Sequence, residues 1–473
     1  MSESLRRSPT TWLPITGVLV LTAALYWRTL GFAYFLDAFD ILAQPIGLDS
    51  ALNIKRFPHY IRPVWMGAVW LGRAISGADP FGQHLVAVAL HVTNTALVYA
   101  AARALFGRRD RAVLVALIWT LFGWHAYNVA YAMVVPPLLV GTFLLASLVL
   151  FWRGLGERAV VARVLAPLSY AAALLTKETA LPFVAILFVT AYVVRRLSLR
   201  RTLGALAPFG VVVAIYWIAR VLRLGASSVQ VMIGGEFFLL TPRTLPDLAP
   251  AMVLHYLRQL VFLPYPIPSL PLDWVGATHV TAATALLLVF LWLPRHRDRV
   301  SPVDARMLAF GAGWCVLESS TFLLTSHPRL QYDISVGFAF MVAAVAGTAL
   351  TAWPATKLRA SALSIVLVVY IATHAVIGWR IQNRLAGDSP AVLAYYAAEY
   401  VRPGDSAPSV RPDPFHAALR AHVAAHLTRH GCLRGETVAP GCHGDLAYDL
   451  NDLLLRWQPG RMLRSTAGEP NRP

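Results

Sequence analysis

The chain has few charged residues and only three cysteines among its 473 positions. Charged residues make up 14% of it, whereas a soluble protein of this size carries roughly 25%, so the composition argues against a soluble protein. The sequence also has no C-x-x-C pair, no P-loop and no dinucleotide-binding fingerprint. The thiol-redox, nucleotide-hydrolysing and dinucleotide-dependent classes that these motifs mark are therefore not indicated.

Long apolar runs stand where charge is missing. Hydrophobic residues make up 57% of the chain, and the mean hydropathy is +0.57. The apolar residues fall in blocks of about 16–25 separated by Arg-rich clusters, which is the pattern of a polytopic helical membrane protein. The first block, residues 11–31, is too long for a removable signal peptide and lacks its cleavage site. We therefore predict an all-α, multi-pass fold in the cell membrane, with this block as a retained span.

The basic residues indicate the topology. The formal net charge is +17, and Lys and Arg accumulate on cytoplasmic loops of membrane proteins. No basic run is interleaved with aromatic residues on a soluble domain, so nucleic-acid binding is not indicated. We place six Arg- or Lys-rich clusters on the cytoplasmic side. With two membrane crossings between successive clusters, the chain would have about eleven transmembrane helices. The predicted spans lie near 11–31, 82–106, 112–130, 132–152, 162–176, 179–194, 202–222, 277–294, 306–325, 333–352 and 361–379.

This topology divides the chain into two regions. Residues 1–380 form the predicted transmembrane catalytic domain, with outer-face loops 32–81 and 223–276. The apolar stretches 62–76 and 248–264 fit a span poorly, and we predict that they are helices on the outer membrane face.

Residues 381–473 form a short soluble region, predicted to be extracytoplasmic. Cys432 and Cys442 in this tail could close a disulfide in an oxidising compartment. Arg380 and Arg384 argue for the opposite orientation, because they follow the last span on its outer side.

The candidate functional residues gather on the predicted outer face. A charged group near hydrocarbon is energetically costly and is by default a candidate functional residue. These residues also have simpler interpretations. The two aspartates could be solvated loop residues, the Lys-Glu pair could be a self-neutralising turn, and the arginine near the end of a span could snorkel to the headgroups. The residues are Asp37 and Asp40 after the first span, Arg62, the pair Lys177-Glu178 between two short spans, and Arg329 with Tyr332.

Cations and a carboxylate on one membrane face indicate a reaction type. Arginine and lysine can hold a lipid phosphate that serves as the leaving group. A carboxylate can take the proton from an acceptor hydroxyl as it attacks. This combination predicts glycosyl transfer from a polyprenyl-phosphate sugar, although composition alone does not distinguish it from a flippase or exporter of such lipids.

Several motifs resemble those of the GT-C class of membrane glycosyltransferases, and most closely the branch of the transmembrane TPR-containing protein O-mannosyltransferases and their bacterial relatives. The likeness covers roughly residues 10–380 and is most specific over 60–107. That branch has H-P-x-H-T-E after its third span, whereas this chain has His125-Ala-Tyr-Asn128-Val-Ala130. This chain also lacks the TPR array of that branch. The matching segments are Tyr60-Ile-Arg62-Pro63, Gly77 to Gly107 with His84, His91 and Asn94, Asp37 as the first acid after the first span, Lys177-Glu178, Arg329 to Phe338, and Phe262 to Asp273.

The resemblance implies an inverting glycosyltransferase whose active site faces the extracytoplasmic side. Its donor would be a polyprenyl-phosphate-linked monosaccharide, and its acceptor would be a hydroxyl of a protein, glycan or lipid. Asp37 would be the catalytic base or its orienting partner, with Asp40 as the other member. No cofactor is required, although Asp37-x-x-Asp40 would also suit a divalent cation. Arg62, Lys177 and Arg329 would bind the donor phosphate, supported by Glu178, Tyr332, His91 and His125.

Two alternatives remain from the sequence. A transporter or flippase of lipid-linked sugars would also have many spans and intramembrane charges. It predicts paired, internally repeated halves, and the sequence shows no such repeat. A catalytically inactive membrane assembly factor is the second alternative, because the second His and the Glu of the H-P-x-H-T-E motif are absent.

Overall fold

The chain folds as a bundle of helices in the computed structural model, which describes residues 13–32, 48–53, 60–77, 79–131, 135–156, 159–224, 230–233, 236–239, 260–261, 273–292, 300–320, 331–352, 357–400, 433–434 and 437–438. The helices are α1 (Leu13–Tyr26), α2 (Leu48–Ala51), α3 (Pro63–Ser76), α4 (Phe81–Phe106), α5 (Arg109–Thr120), α6 (His125–Ala130), α7 (Val135–Gly154), α8 (Val160–Leu174), α9 (Phe183–Val189), α10 (Leu199–Leu224), α11 (Trp274–Trp292), α12 (Pro302–Ser320), α13 (Gln331–Ala352) and α14 (Lys357–Tyr400).

Short irregular elements and two hairpins complete the described part of the chain. A 3₁₀ turn, Trp27–Gly31, extends α1, another spans Glu178–Ala180, and a π turn, Thr190–Val194, follows α9. The hairpins are antiparallel and two-stranded. They are β1 (Gln230–Ile233) with β2 (Glu236–Leu239), and β3 (Leu433–Arg434) with β4 (Thr437–Val438).

The helices confirm the predicted all-α, polytopic membrane class. Within the described ranges, seven helices are long and apolar enough to cross a bilayer, for which about 20 residues are needed. Two further apolar helices, Val160–Leu174 and Glu178–Val194, are shorter. The count of eleven spans therefore stays a prediction. The seven are Leu13–Gly31, Phe81–Phe106, Val135–Gly154, Leu199–Arg223, Trp274–Leu291, Tyr332–Ala349 and Ser364–Asn383.

One predicted span is wrong in its form. The stretch 112–130 is not one helix, because α5 ends at Thr120 and α6 begins at His125. The Gly123 backbone N–H donates to Nδ1 of His374 at 3.2 Å instead of to a helical carbonyl. A buried side chain thus satisfies a backbone donor that the helix ladder would otherwise use.

Helix α13 lies at the centre of the bundle and α10 at its edge. Nearly all of α13 is buried, whereas α10 exposes apolar residues such as Val211, Ile215 and Ile218 along one side. Small residues allow the central helices to approach closely. A methyl group on Gly311 of α12 would lie 2.5 Å from the carbonyl oxygen of Gly337 on α13.

Each end of the bundle has an ion pair. At one end, where α5 and α12 begin, Nε of Arg111 lies 3.3 Å from Oδ1 of Asp304, and both side chains are buried. We call the opposite end, where α8, α10 and α12 end, the Glu178 end. It corresponds to the outer face in the predicted topology.

The Glu178 end also holds a residue that argued against the predicted orientation. Nη1 of Arg380, on α14, lies 2.6 Å from Oδ2 of Asp273, and this carboxylate accepts hydrogen bonds from Val275 N and Gly276 N at the start of α11. Arg380 is thus paired within the fold, but the positive-inside rule counts Lys and Arg whatever their partners, so Arg380 still argues against the predicted orientation. Helix α14 runs through residue 380 to Tyr400. The boundary between residues 380 and 381 stays a prediction, and Cys432 and Cys442 lie outside the described residues.

Candidate functional site

The candidate site forms at the Glu178 end, where α8 ends and α3 begins. Helix α8 ends at Leu174, and Lys177 takes an extended backbone conformation before the 3₁₀ turn that opens with Glu178. Helix α3 begins with Pro63, a residue suited to the first helical position, so that Arg62 lies just before the helix. The Val64 N–H donates to the Leu175 carbonyl at 3.3 Å. This bond holds the two segments side by side.

Arg62 and Glu178 form a two-point ion pair. Nη2 of Arg62 lies 2.6 Å from Oε1 of Glu178, and Nε lies 3.4 Å from Oε2. The Arg62 guanidinium carbon also lies 3.9 Å from the centre of the Tyr60 ring and 5.8 Å from that of Trp65. Planar guanidinium groups favour such bidentate and cation–π contacts. The pair is therefore held in one orientation, with side chains 13% and 26% exposed.

The charge state of Glu178 follows from these neighbours. Partial burial alone would raise its pKa, but the Arg62 charge and hydrogen bond, together with the Lys177 charge, lower the pKa of Glu178 to about 2. A carboxylate with this pKa is ionised at neutral pH and is a weak proton acceptor. Glu178 therefore balances charge and is poorly suited to act as a general base.

Helix α10 brings two further polar residues to this place. Tyr216 and Arg220 are both buried, at 5% exposure each. Tyr216 interacts electrostatically with Glu178, Arg220 and Arg62. Sequence reasoning did not select either residue. An arginine inside the otherwise apolar span predicted at 202–222 is the signal that could have identified Arg220.

Two further buried carboxylates lie on α12 and α13 at the Glu178 end. Glu318 near the end of α12 and Asp333 at the start of α13 are 0% and 4% exposed, and they interact electrostatically with each other. Lys177 attracts the Asp333 carboxylate. The indole N–H of Trp314 donates to the Asp333 carbonyl at 2.7 Å, which fixes the start of α13. Sequence reasoning missed both acids, although each is a charged residue at the end of an apolar helix.

The predicted supporting residues form a buried network next to Asp333. The Tyr332 hydroxyl lies 2.9 Å from Nδ1 of His91 and accepts from Nδ2 of Asn94 at 2.9 Å. Nε2 of His125 lies 2.9 Å from Oγ of Ser335. All five side chains are buried. Such networks fix one arrangement of the core, so Tyr332, His91 and His125 connect the site to the bundle interior.

The structure brings together three of the predicted site residues, Arg62, Lys177 and Glu178. Asp37, Asp40 and Arg329 lie outside the described residues, so their roles stay predictions. In the part of the chain that the structure describes, no group of three or more His, Cys, Asp or Glu side chains is arranged to hold a metal ion. The predicted alternative of a divalent cation concerns Asp37 and Asp40, to which this observation does not extend.

The comparisons with known proteins support the fold. No family model matches the chain, and no curated protein matches its sequence. A structure of the Archaeoglobus fulgidus oligosaccharyltransferase, tethered with an acceptor peptide containing the NVT sequon, has a TM-score of 0.50 and 13% identity. The match covers 90% of this chain and 60% of that chain.

A second match is to archaeal oligosaccharyltransferase AglB from Archaeoglobus fulgidus in complex with an inhibitory peptide and a dolichol-phosphate. Its TM-score is 0.47 at 12% identity, with coverage of 87% of this chain and 59% of that chain. The chain thus spans about 60% of the length of the oligosaccharyltransferases it matches. The first match shows a likeness in fold to an oligosaccharyltransferase, whereas the O-mannosyltransferase branch is not confirmed.

Proposed function

We propose that this chain is an integral membrane glycosyltransferase that moves a monosaccharide from a polyprenyl-phosphate donor to an acceptor hydroxyl. The observation that carries the proposal is the cluster of Arg62, Lys177 and Glu178 at one end of a bundle with a GT-C-type fold. Charged residues near hydrocarbon are candidate functional residues, and arginine and lysine suit the binding of a phosphate. A lipid phosphate would enter at this level, because its head group remains at the membrane surface while its chain lies among the helices.

The described residues divide the work between binding and charge balance. Glu178 accepts hydrogen bonds from Nε and Nη2 of Arg62, and a lipid phosphate would bind to the Nη1 side of the guanidinium. Lys177, the chain neighbour of Glu178, adds a compact positive charge that acts on the Glu178 carboxylate. These two cations, with Arg329, would stabilise the phosphate as negative charge develops on the leaving group. Glu178 would keep the guanidinium in place and would not take part in proton transfer.

The proton acceptor is proposed from the sequence. Asp37 follows the first span and would take the proton of the acceptor hydroxyl as it attacks the anomeric carbon, while the phosphate leaves from the opposite face and the centre inverts. Asp40 would orient Asp37. The acceptor can be a protein, glycan or lipid hydroxyl. The tethered peptide of the oligosaccharyltransferase neighbour makes a hydroxyl-bearing peptide the first acceptor to try.

A transfer assay with the full-length protein tests this proposal. Purified protein in lipid nanodiscs receives a radiolabelled polyprenyl-phosphate sugar and membrane extract, and the label is followed to its acceptor. Asp37→Asn keeps the side-chain shape and removes the base. It should lower transfer at least about a hundredfold with donor binding retained. Near-normal turnover by this variant would remove Asp37 from the mechanism.

The rival transporter function gives a different result in the same system. In sealed vesicles a flippase moves the labelled lipid across the bilayer while the sugar stays attached to it. Transfer of label to a new product supports the glycosyltransferase. Movement of intact donor with no product, in the presence of extract, would favour the flippase.

A further inference from the structure

The buried face of α10 ends in a charged residue. The residues that α10 buries recur at spacings of three, four and seven and thus form one stripe along the helix. Arg220 occupies the last position of that stripe and is 5% exposed. Arg200 and Arg201, at the other end of the same helix, are exposed. The buried residues are Thr202, Leu206, Phe209, Tyr216 and Arg220.

The register between α8 and α10 places the end of this stripe at the Glu178 end of the bundle. The ring of Phe209 on α10 lies 5.8 Å from the ring of Tyr170 on α8. The two helices run in the same direction, because α9 returns the chain between them. Tyr216 lies seven residues beyond Phe209 on α10, which is roughly 10 Å further along the bundle at a rise of about 1.5 Å per residue. Helix α8 ends at Leu174, four residues beyond Tyr170, and Lys177 follows three residues later.

The electrostatic contacts agree with this register. Arg220 interacts with Tyr216, which also interacts with Glu178 and Arg62. Arg220 acts on Tyr60 as well. Burial raises the pKa of Tyr60 above its ordinary value, and the positive charges of Arg62 and Arg220 oppose this rise. Arg220 therefore faces the Arg62–Glu178 pair from the α10 side, with Tyr60 and Tyr216 beside it.

We propose that Arg220 is a further phosphate-binding residue of this site, contributed by α10 and positioned by Tyr216. Its guanidinium would approach the lipid phosphate from the side opposite α3, so that the phosphate is bound between Arg220 and Lys177. This inference rests on the proposed function, because it assigns a residue to the same donor site. Arg220 adds a cation from α10, a helix in which the sequence motifs marked no site residue. The assignment therefore makes α10 part of the donor site.

Binding of a lipid phosphate and of its neutral alcohol tests the assignment. Full-length protein in nanodiscs is titrated with a short-chain polyprenyl phosphate and, separately, with the matching polyprenol. Arg220→Gln should weaken polyprenyl phosphate binding about ten- to a hundredfold, the usual effect of losing a charge-assisted hydrogen bond, and leave polyprenol binding unchanged. Arg220→Lys should restore part of the loss, since it keeps the charge but not the fork. Arg200→Gln is the matched control and should bind both ligands as wild type does.

The outcomes separate this inference from the proposed function. Equal phosphate affinity of Arg220→Gln and wild type would overturn the role of Arg220 and leave the proposed function standing. An equal loss of phosphate and polyprenol binding would assign Arg220 a structural role and overturn the inference. If Arg220→Gln does not fold, Arg220→Lys decides alone, because unchanged phosphate affinity would then refute the assignment.

Two outcomes concern the proposed function itself. Wild type that binds polyprenyl phosphate no better than polyprenol would overturn both the inference and the proposed function. A different outcome is also possible: Arg220→Gln loses only polyprenyl phosphate binding, and the wild-type protein shows no sugar transfer. This result would uphold the phosphate-binding role of Arg220 and overturn the proposed glycosyltransferase function.

Discussion

The ion pair between Arg62 and Glu178 should stabilise the folded protein in a pH-dependent manner. Its groups lie 2.6 and 3.4 Å apart and are mostly buried. The pKa of Glu178 moves from an ordinary value of 4.5 to about 2, which corresponds to roughly 3 kcal/mol in favour of the ionised form. Because about a quarter of the Glu178 side chain is exposed, solvent screening reduces the expected contribution to about 2 kcal/mol.

The sign of the pH dependence follows from the depressed pKa. Stabilisation by a carboxylate whose folded pKa lies below its unfolded value is present above the unfolded value and is lost as the pH falls towards the folded one. Glu178→Gln copies the shape of the protonated side chain. It should therefore be less stable than wild type by about 2 kcal/mol at pH 7, and the difference should vanish between about pH 4.5 and pH 2.

A double-mutant cycle measures the pair itself. Unfolding of wild type, Glu178→Gln, Arg62→Gln and the double variant is followed in mixed micelles by tryptophan fluorescence, for which the chain has 14 tryptophans. We expect a coupling energy of about 2 kcal/mol at pH 7. The exposed pair Arg108–Asp110, with side chains 57% and 55% exposed, is the control and should show little coupling. A coupling energy below about 0.5 kcal/mol for Arg62 and Glu178, or a stability difference that persists at pH 2, would refute this reasoning.

Three further predictions concern the site, the packing and the topology. Lys177→Ala should weaken binding of a polyprenyl-phosphate donor by about 1.5–3 kcal/mol, measured by titration calorimetry, and unchanged affinity would show that Lys177 does not contact the phosphate. Gly311→Ala should lower the free energy of unfolding by about 1–3 kcal/mol because its methyl group would meet the α13 backbone, whereas Gly210→Ala, where nothing lies within 4 Å, should cost nothing. An equal effect of the two alanines would contradict the close approach of α12 and α13. Finally, Ser50→Cys and Arg420→Cys, each in a background with the three native cysteines replaced by serine, should both react with a membrane-impermeant thiol reagent in intact cells. Labelling of position 50 with protection of position 420 would show that the predicted number of crossings between them is wrong.

Local sequence patterns were sufficient to predict most of the helices. Apolar blocks bounded by charged clusters predicted spans near 82–106 and 132–152, and the structure has Phe81–Phe106 and Val135–Gly154. The same local signal placed Lys177 and Glu178 in the turn between two short helices. Hydropathy is effective here because a helix satisfies its own backbone groups in a membrane, so its position depends mainly on the composition of its own segment.

The partners within the site depended on the tertiary structure. The sequence suggested that Glu178 balances its neighbour Lys177, and the structure shows that its hydrogen-bond partner is Arg62, 116 residues away. It also shows Arg220 and Asp333 beside this cluster, and it divides the predicted span 112–130 through a hydrogen bond from Gly123 to His374.

The sequence by itself determined the membrane class, the positions of most helices and the location of Lys177 and Glu178 at a helix end. It did so because hydrophobicity and helix-forming tendency act over a few neighbouring residues. Only the tertiary structure decided which charges meet, since pairing depends on the register and rotation of helices that are far apart in the chain. Arg62 faces Glu178, and Arg220 lies near them, because α3 and α10 both pack against α8 and the turn that follows it.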